Sequence, residues 1–325
     1  MEIIIGTYEA FLLGYVLRKD EEAGYSLQQT FAISDHNSPV RCLAACGHFI
    51  SSGSVDEFIH IYNMKSRTEV GILEKHEGTI TSLQFATTKY LITTSEDGYI
   101  LIWKTGSNWT CEKTLSGHKG FGVTSLALHP SNKLLLSTGK DKKIKTWNLI
   151  KGRLAYISKT KEVAENIQWS PKGDHFMVSF DKSVDVYDIG SAGIVHSVSS
   201  TVRIQCSDFI DEDLIAIGKD GGCVEIHSFK EEKLVFQFKA HDVRVKGIAS
   251  FTSPKNKKHT WIVTASSSGQ VRVWDLKDKT WENDPVKVTE INASCRVTCL
   301  TLSKEDVPVS FITNRSKKFK KLKTS

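Results

Sequence analysis

An aromatic residue returns at a nearly constant interval along this chain. Tyr62, Trp103, Trp147, Tyr187 and Trp274 end the runs FIHIY, YILIW, KIKTW, SVDVY and QVRVW, and His227 ends GCVEIH in the same place. Successive steps are 41, 44, 40, 40 and 47 residues. Such a period constrains the fold more than any other feature. A block of about 40 residues cannot bury both faces of a sheet by itself, so each block must stack on its neighbours. The expectation of two or three separate domains for 325 residues therefore does not apply.

Within each block the apolar pattern alternates with period two, the strand period. The second block shows ITSLQF (80–85), YLITTS (90–95), YILIW (99–103) and CEKTL (111–115), with Glu96-Asp97-Gly98 as a tight turn. Four short strands per block, with Trp274-Asp275 and Tyr187-Asp188 closing the third, resemble WD-repeat propellers. Complete units begin near Val40, Ile80, Val123, Ala164, Ile204 and Val245. Residues 1–34 add EIIIGTY, FLLGYVL and SLQQTFAI, and 297–302 add VTCLTL. Three strands from one terminus and one from the other complete a seventh blade. The expectation is an all-β, seven-bladed WD40 β-propeller over 1–309, followed by a basic C-terminal tail, 310–325. Closure of this kind leaves no free sheet edge where the termini meet.

A histidine precedes several units: His36, His76, His118 and His241. In WD repeats such a residue bonds to an Asp of the second turn and orients the third-strand aromatic. The sets expected here are His76, Ser95, Asp97 and Trp103, and His36, Ser54, Asp56 and Tyr62. His118, Asp141 and Trp147 form a third set with Gly139 in the serine's place, and the sixth unit has Ser268 where Asp belongs. A His–Asp pair resembles part of a hydrolase triad. It recurs once per repeat, however, which fits an internal hydrogen-bond network rather than a catalytic site.

The remaining chemistry points away from catalysis. Hydrophobic residues make up 40% and charged residues 25%, an ordinary globular balance. Seven cysteines, without a C-x-x-C pair, suit small buried hydrophobes in a reducing compartment better than disulfides or zinc. The apolar start carries Glu2 instead of a basic region, so a signal peptide is not expected, nor is a membrane span. No nucleophile elbow, zinc-protease motif or phosphate loop occurs; Gly218–Gly222 falls where a strand turn is expected. No catalytic residue, cofactor or metal is assigned.

Binding is the activity left. The residue just before strand one of each unit is Pro39, Thr79, Gly122, Val163, Arg203, Arg244 and Arg296, in blade order. Equivalent positions form a ring, so Arg203, Arg244 and Arg296 should form an arc at the channel mouth. Guanidinium forks suit carboxylates or phosphates, and the arc is expected to receive an acidic or phosphate-bearing partner. The competing expectation is that each Arg pairs with an acid of its neighbouring blade. The tail carries Arg315, Lys317, Lys318, Lys320, Lys321 and Lys323 without an intervening acid. It reads as a nuclear or nucleolar address, or a contact to pre-rRNA phosphates. These six cations equal the whole formal excess of +6, so the propeller itself sums to neutrality. The cluster Lys140, Lys142, Lys143 and Lys145 is expected in solvated turns.

DEFIHIYNMK (56–65), HEGTITSLQF (76–85), KTWNLIKGRLAYI (145–157), WSPKG (169–173), KAHDVRVKG (239–247) and EINASCRVTCL (290–300) resemble the p21-activated kinase-interacting protein family. Its fungal counterpart is a maintenance-of-killer protein of large-subunit ribosome assembly. The resemblance covers about residues 1–302. It implies a nucleolar or nuclear factor for early large-subunit (60S) particles, with ribosome-assembly factors as partners. It also implies a binder and negative regulator of p21-activated kinase through that kinase's regulatory region. The chain would act as a monomer within larger assemblies, with no membrane partner. A cytosolic WD-repeat signalling scaffold without a ribosome role is the alternative.

Overall fold

The structure is a computed structural model. It describes residues 1–20 (Asp20 by its backbone), 24–106, 108–191, 193–252, 259–276 and 284–303. The basic tail lies outside these residues, and so do its six cations.

Seven four-stranded antiparallel sheets make up the described chain. Six follow sequence order, and their first strands are Val40–Cys46, Ile80–Thr87, Val123–Leu128, Asn166–Trp169, Ile204–Phe209 and Val245–Thr252. The seventh combines Val297–Ser303 with Glu2–Thr7, Leu12–Asp20 and Gly24–Ile33, in that order across the sheet. Its joining register runs from Glu2 opposite Ser303 to Thr7 opposite Val297. The seven-bladed propeller closed by both termini is thus the observed fold. One boundary moves: the fourth blade's ladder starts at Asn166, two residues beyond Ala164, although Ala164 is itself buried.

The core consists of seven clusters, each shared by two neighbouring blades. Ile3 and Ile5 pack with Trp261 and Val263 of the sixth blade. Ile4 turns the other way, against Val40, Ile50 and Tyr62 of the first. Alternate side chains leave opposite faces of a strand, so both faces of Glu2–Thr7 are buried. That is why this strand reads as an unbroken apolar run. The other five interfaces follow the same rule, and the clusters close into a ring.

The repeated aromatic has a structural counterpart. In every blade the register between strands three and four shifts immediately before it, as at Ile61/Tyr62, Ile102/Trp103 and Thr146/Trp147. The extra residue of such a bulge sharpens the local twist. The seventh blade carries the same shift at Gly14/Tyr15, which identifies Tyr15 as the repeat's seventh aromatic.

Candidate protein-interaction site

Inside the blades, the histidine networks consume polar groups that could otherwise do chemistry. His76 Nδ1 lies 2.6 Å from Asp97 Oδ2, its Nε2 lies 2.8 Å from Thr93 Oγ1, and Trp103 Nε1 donates to the same Thr93 oxygen at 2.9 Å. The hydroxyl joining His to Trp is therefore Thr93, not Ser95. Ser95 instead donates to the Gly78 carbonyl at 2.7 Å and accepts the Asp97 N–H. The first blade repeats the histidine and serine bonds but not the aromatic one, since the Tyr62 hydroxyl is buried without a hydrogen-bond partner. His36 meets Asp56 at 3.0 Å and Ser52 at 2.8 Å, while Ser54 donates to the carbonyls of Ser38 and Pro39. The third set is complete after all: His118 reaches Asp141 at 2.7 Å and Ser137 at 3.0 Å, and Trp147 donates to Ser137 at 3.0 Å. Burial pulls the His36 and His118 pKa values down against the opposing pull of their aspartates, and both Asp56 and Asp97 are held below the usual carboxylate range.

The sixth blade departs as its Ser268 foreshadows. His241 Nε2 lies 2.8 Å from Thr264 and Trp274 donates to Thr264 at 2.9 Å. The other nitrogen, Nδ1, is buried without a hydrogen-bond partner. Burial and the nearby Arg272 charge pull the His241 pKa down to about 4. In the fifth blade, which has no upstream histidine, Lys219 Nζ meets Glu225 at 2.5 Å and His227 meets the other Glu225 oxygen at 3.2 Å. One further group, Asp35, His60 and Glu69, brings three potential metal-ligand atoms within 4.8 Å of one another. There His60 Nδ1 is already hydrogen-bonded to Glu69, and Asp35 and Glu69 are exposed.

The first strands surround an axial channel. Two overlapping cavities, ≈ 660 Å³ and ≈ 330 Å³, share Leu43, Asn166, Ser207, Ile248 and Leu300 and together form it. In the larger, burial pushes the Asp208 carboxyl up to about 6, although the Gln168 amide and the Ser250 N–H both donate to it.

The ring positions singled out from sequence are equivalent in six blades. The carbonyls of Pro39, Thr79, Gly122, Arg203, Arg244 and Arg296 each accept the N–H of the residue at the start of their own blade's second turn, at 2.8–3.2 Å. No such bond is formed by Val163. Arg203, Arg244 and Arg296 therefore stand at one level on three consecutive blades, and all are exposed. Their surroundings differ. Arg203 bridges to the fourth blade, reaching Glu165 at 2.6 Å and Asp181 at 3.0 Å. The Arg296 guanidinium lies 5.2 Å above the Tyr8 ring. Arg244 has no carboxylate partner among the described residues. The neighbouring-blade pairing weighed from sequence thus holds for Arg203.

Two further cations were missed. Arg41 and Lys246 stand two residues beyond the ring positions Pro39 and Arg244 and line the smaller cavity. Burial lowers the Lys246 pKa, and the charges of Arg244 and Arg203 lower it further, so these three cations share one field. The signal was present, since Arg41 and Lys246 are the second residues of their strands.

The WD domain, G-beta repeat pattern matches residues 26–63, 67–104, 109–148 and 232–275. Each match begins in or just before the outer strand of one blade and ends with the third strand of the next. The sequence repeat is therefore offset from the blade, which ties neighbours together covalently. A p21-activated protein kinase-interacting protein 1-like protein of Danio rerio is 40% identical over 92% of this chain and 80% of its own length. The Homo sapiens p21-activated protein kinase-interacting protein 1 is 37% identical over 92% and 76%. Protein MAK11 of Saccharomyces cerevisiae is 28% identical over 94% and 83%. With the ring of WD repeats described and relatives matching along nearly all of it, this chain belongs to the p21-activated protein kinase-interacting protein family.

Proposed function

We propose that this chain is a non-enzymatic interaction protein that serves as a nucleolar assembly factor for the large ribosomal subunit and binds and restrains a p21-activated kinase. The observation carrying the reading is similarity along the whole ring to proteins named for interaction with that kinase. The His–Asp pairs of the first three blades are engaged internally, which leaves the rim as the surface for recognition. In this reading Arg203, Arg244 and Arg296 receive acidic or phosphate-bearing partner groups, and the tail 310–325 supplies the nucleolar address.

The test has two arms. Reversing Arg203, Arg244 and Arg296 to Glu should abolish capture of the kinase regulatory region while leaving the thermal melt unchanged. Unchanged capture would remove the rim from the account. A fluorescently tagged chain should concentrate in nucleoli and disperse when 314–325 are deleted. A cytosolic distribution of the intact chain would favour a signalling scaffold instead.

A further inference from the structure

The outer edge of the third blade carries features that the rim does not use. Residues 123–160 hold eight Lys or Arg and a single acid, Asp141, which is committed to His118 inside the blade. The following stretch is the reverse: 162–232 hold fourteen acids and five cations. Two third-blade cations are engaged, Lys140 with Glu96 and Lys145 with the Gly117 carbonyl. Among the described residues, Lys142, Lys143, Lys151, Arg153 and Lys159 have no carboxylate partner.

These charges are not confined to turns, contrary to the expectation for Lys140, Lys142, Lys143 and Lys145. Lys143 and Lys145 lie on the third strand, Lys143–Asn148, and pair with the outer strand, Arg153–Lys159. Lys143 stands directly opposite Lys159, and Lys145 opposite Ile157. Like charges opposite one another on an antiparallel pair are destabilising, and no acid of this blade offsets them. The outer strand is exposed at six of seven positions, more than any other outer strand described. Leu154, Tyr156 and Ile157 are 38%, 66% and 43% exposed there.

Lysines alone would be an ordinary guard against edge-to-edge pairing. A guard does not call for three exposed apolar side chains beside them. An unpaired main-chain edge, a lysine face and apolar side chains are together what strand addition uses. A nucleic acid would want several aromatic platforms, and Tyr156 is the only one on this strand.

We propose that Arg153–Lys159 is a docking edge for an extended segment of a partner protein that alternates carboxylates with apolar residues. The period of two places the carboxylates on the Lys143 and Lys159 face and the apolar side chains on the Tyr156 face. The main chain of the segment continues the blade as a fifth strand.

The probe is a fluorescein-labelled nonapeptide alternating glutamate with valine, titrated into the full chain by fluorescence anisotropy. Binding should weaken with added salt. It should also fall at least tenfold in Lys143→Glu with Lys159→Glu, and several-fold in Tyr156→Ser. If the reversal fails to fold, Lys143→Gln with Lys159→Gln should show the same loss in smaller degree. Hydrogen exchange should slow at residues 153–159 on peptide addition. Lys65→Glu, at an exposed cation of the first blade, should leave peptide affinity unchanged, which separates this edge from general charge attraction. Equal affinity in the lysine variants, protection elsewhere, or an equal loss in Lys65→Glu would overturn the proposal. So would tighter binding of an oligouridylate through the same lysines. Self-association of the chain that the double reversal abolishes would overturn it too, since the occupant would then be a second copy.

Discussion

Ser268 decides how His241 behaves. In three other blades an aspartate receives the histidine Nδ1, at 2.6–3.0 Å. The sixth blade leaves that atom buried and bare. Its pKa of about 4 lies below the ordinary value of 6.5, so the folded state takes up this proton less readily than the unfolded chain. The stability carried by neutral His241 is therefore complete above pH 6.5 and is lost as pH falls through about 4. In magnitude this is roughly 3 kcal/mol by linkage. Ser268→Asp should supply the missing acceptor, raise Tm at neutral pH by about 2–4 °C for about 1 kcal/mol gained, and flatten the acid-side loss. Thermal melts from pH 4 to 7 check both effects; an unchanged acid slope would mean that the bare nitrogen is not the cause. Gly139 makes the opposite case. The His36 and His76 blades place three residues between histidine and strand one, whereas the third places four, and a Cβ at Gly139 would fall 2.5 Å from the His118 ring. Gly139→Ser, which restores the residue type of Ser54 and Ser95, should instead destabilise by about 1–3 kcal/mol, read as a lowered Tm.

The strand that joins the termini carries weight at the level of elements. Deleting residues 1–16 removes the partner of Val297–Ser303. It also removes Ile3, Ile4, Ile5, Leu12 and Tyr15, all buried. Each such side chain contributes about 1.5–3 kcal/mol, and together they match the usual net stability of about 5–15 kcal/mol. The truncated chain should fail to fold or melt far below the intact one, and a melt like the wild type's would contradict the closure. This closure was legible from sequence because residues 1–34 hold three strand-like runs and 297–302 a fourth, which together make one four-strand unit. The identity of the network hydroxyls was not. Thr93 and Ser95 lie two apart on one strand and share a face, so period alone cannot say which reaches the histidine. Nor could it show that Arg203 meets Glu165 and Asp181, because those acids sit at different places in the preceding repeat.

Across the whole molecule, neutrality hides polarity. The excess of +6 equals the six tail cations, yet the third blade is strongly basic while the fourth and fifth are acidic. Counting by blade exposes this division, whereas reading the lysines turn by turn disperses it. Within the arginine rim, Arg203 is held by acids of the fourth blade, whereas Arg244 is not held by any described acid. Arg244→Glu alone should therefore weaken partner capture at least tenfold. Arg203→Glu should alter stability by only about 0–1 kcal/mol, because its ion pairs are half exposed. The proposed role of this ring as an assembly factor on large-subunit precursors is tested most directly by sucrose-gradient sedimentation of nuclear extract. The intact chain should co-sediment with large-subunit precursors, and the triple reversal of Arg203, Arg244 and Arg296 should shift to the light fractions. An intact chain found only in the light fractions would contradict the account.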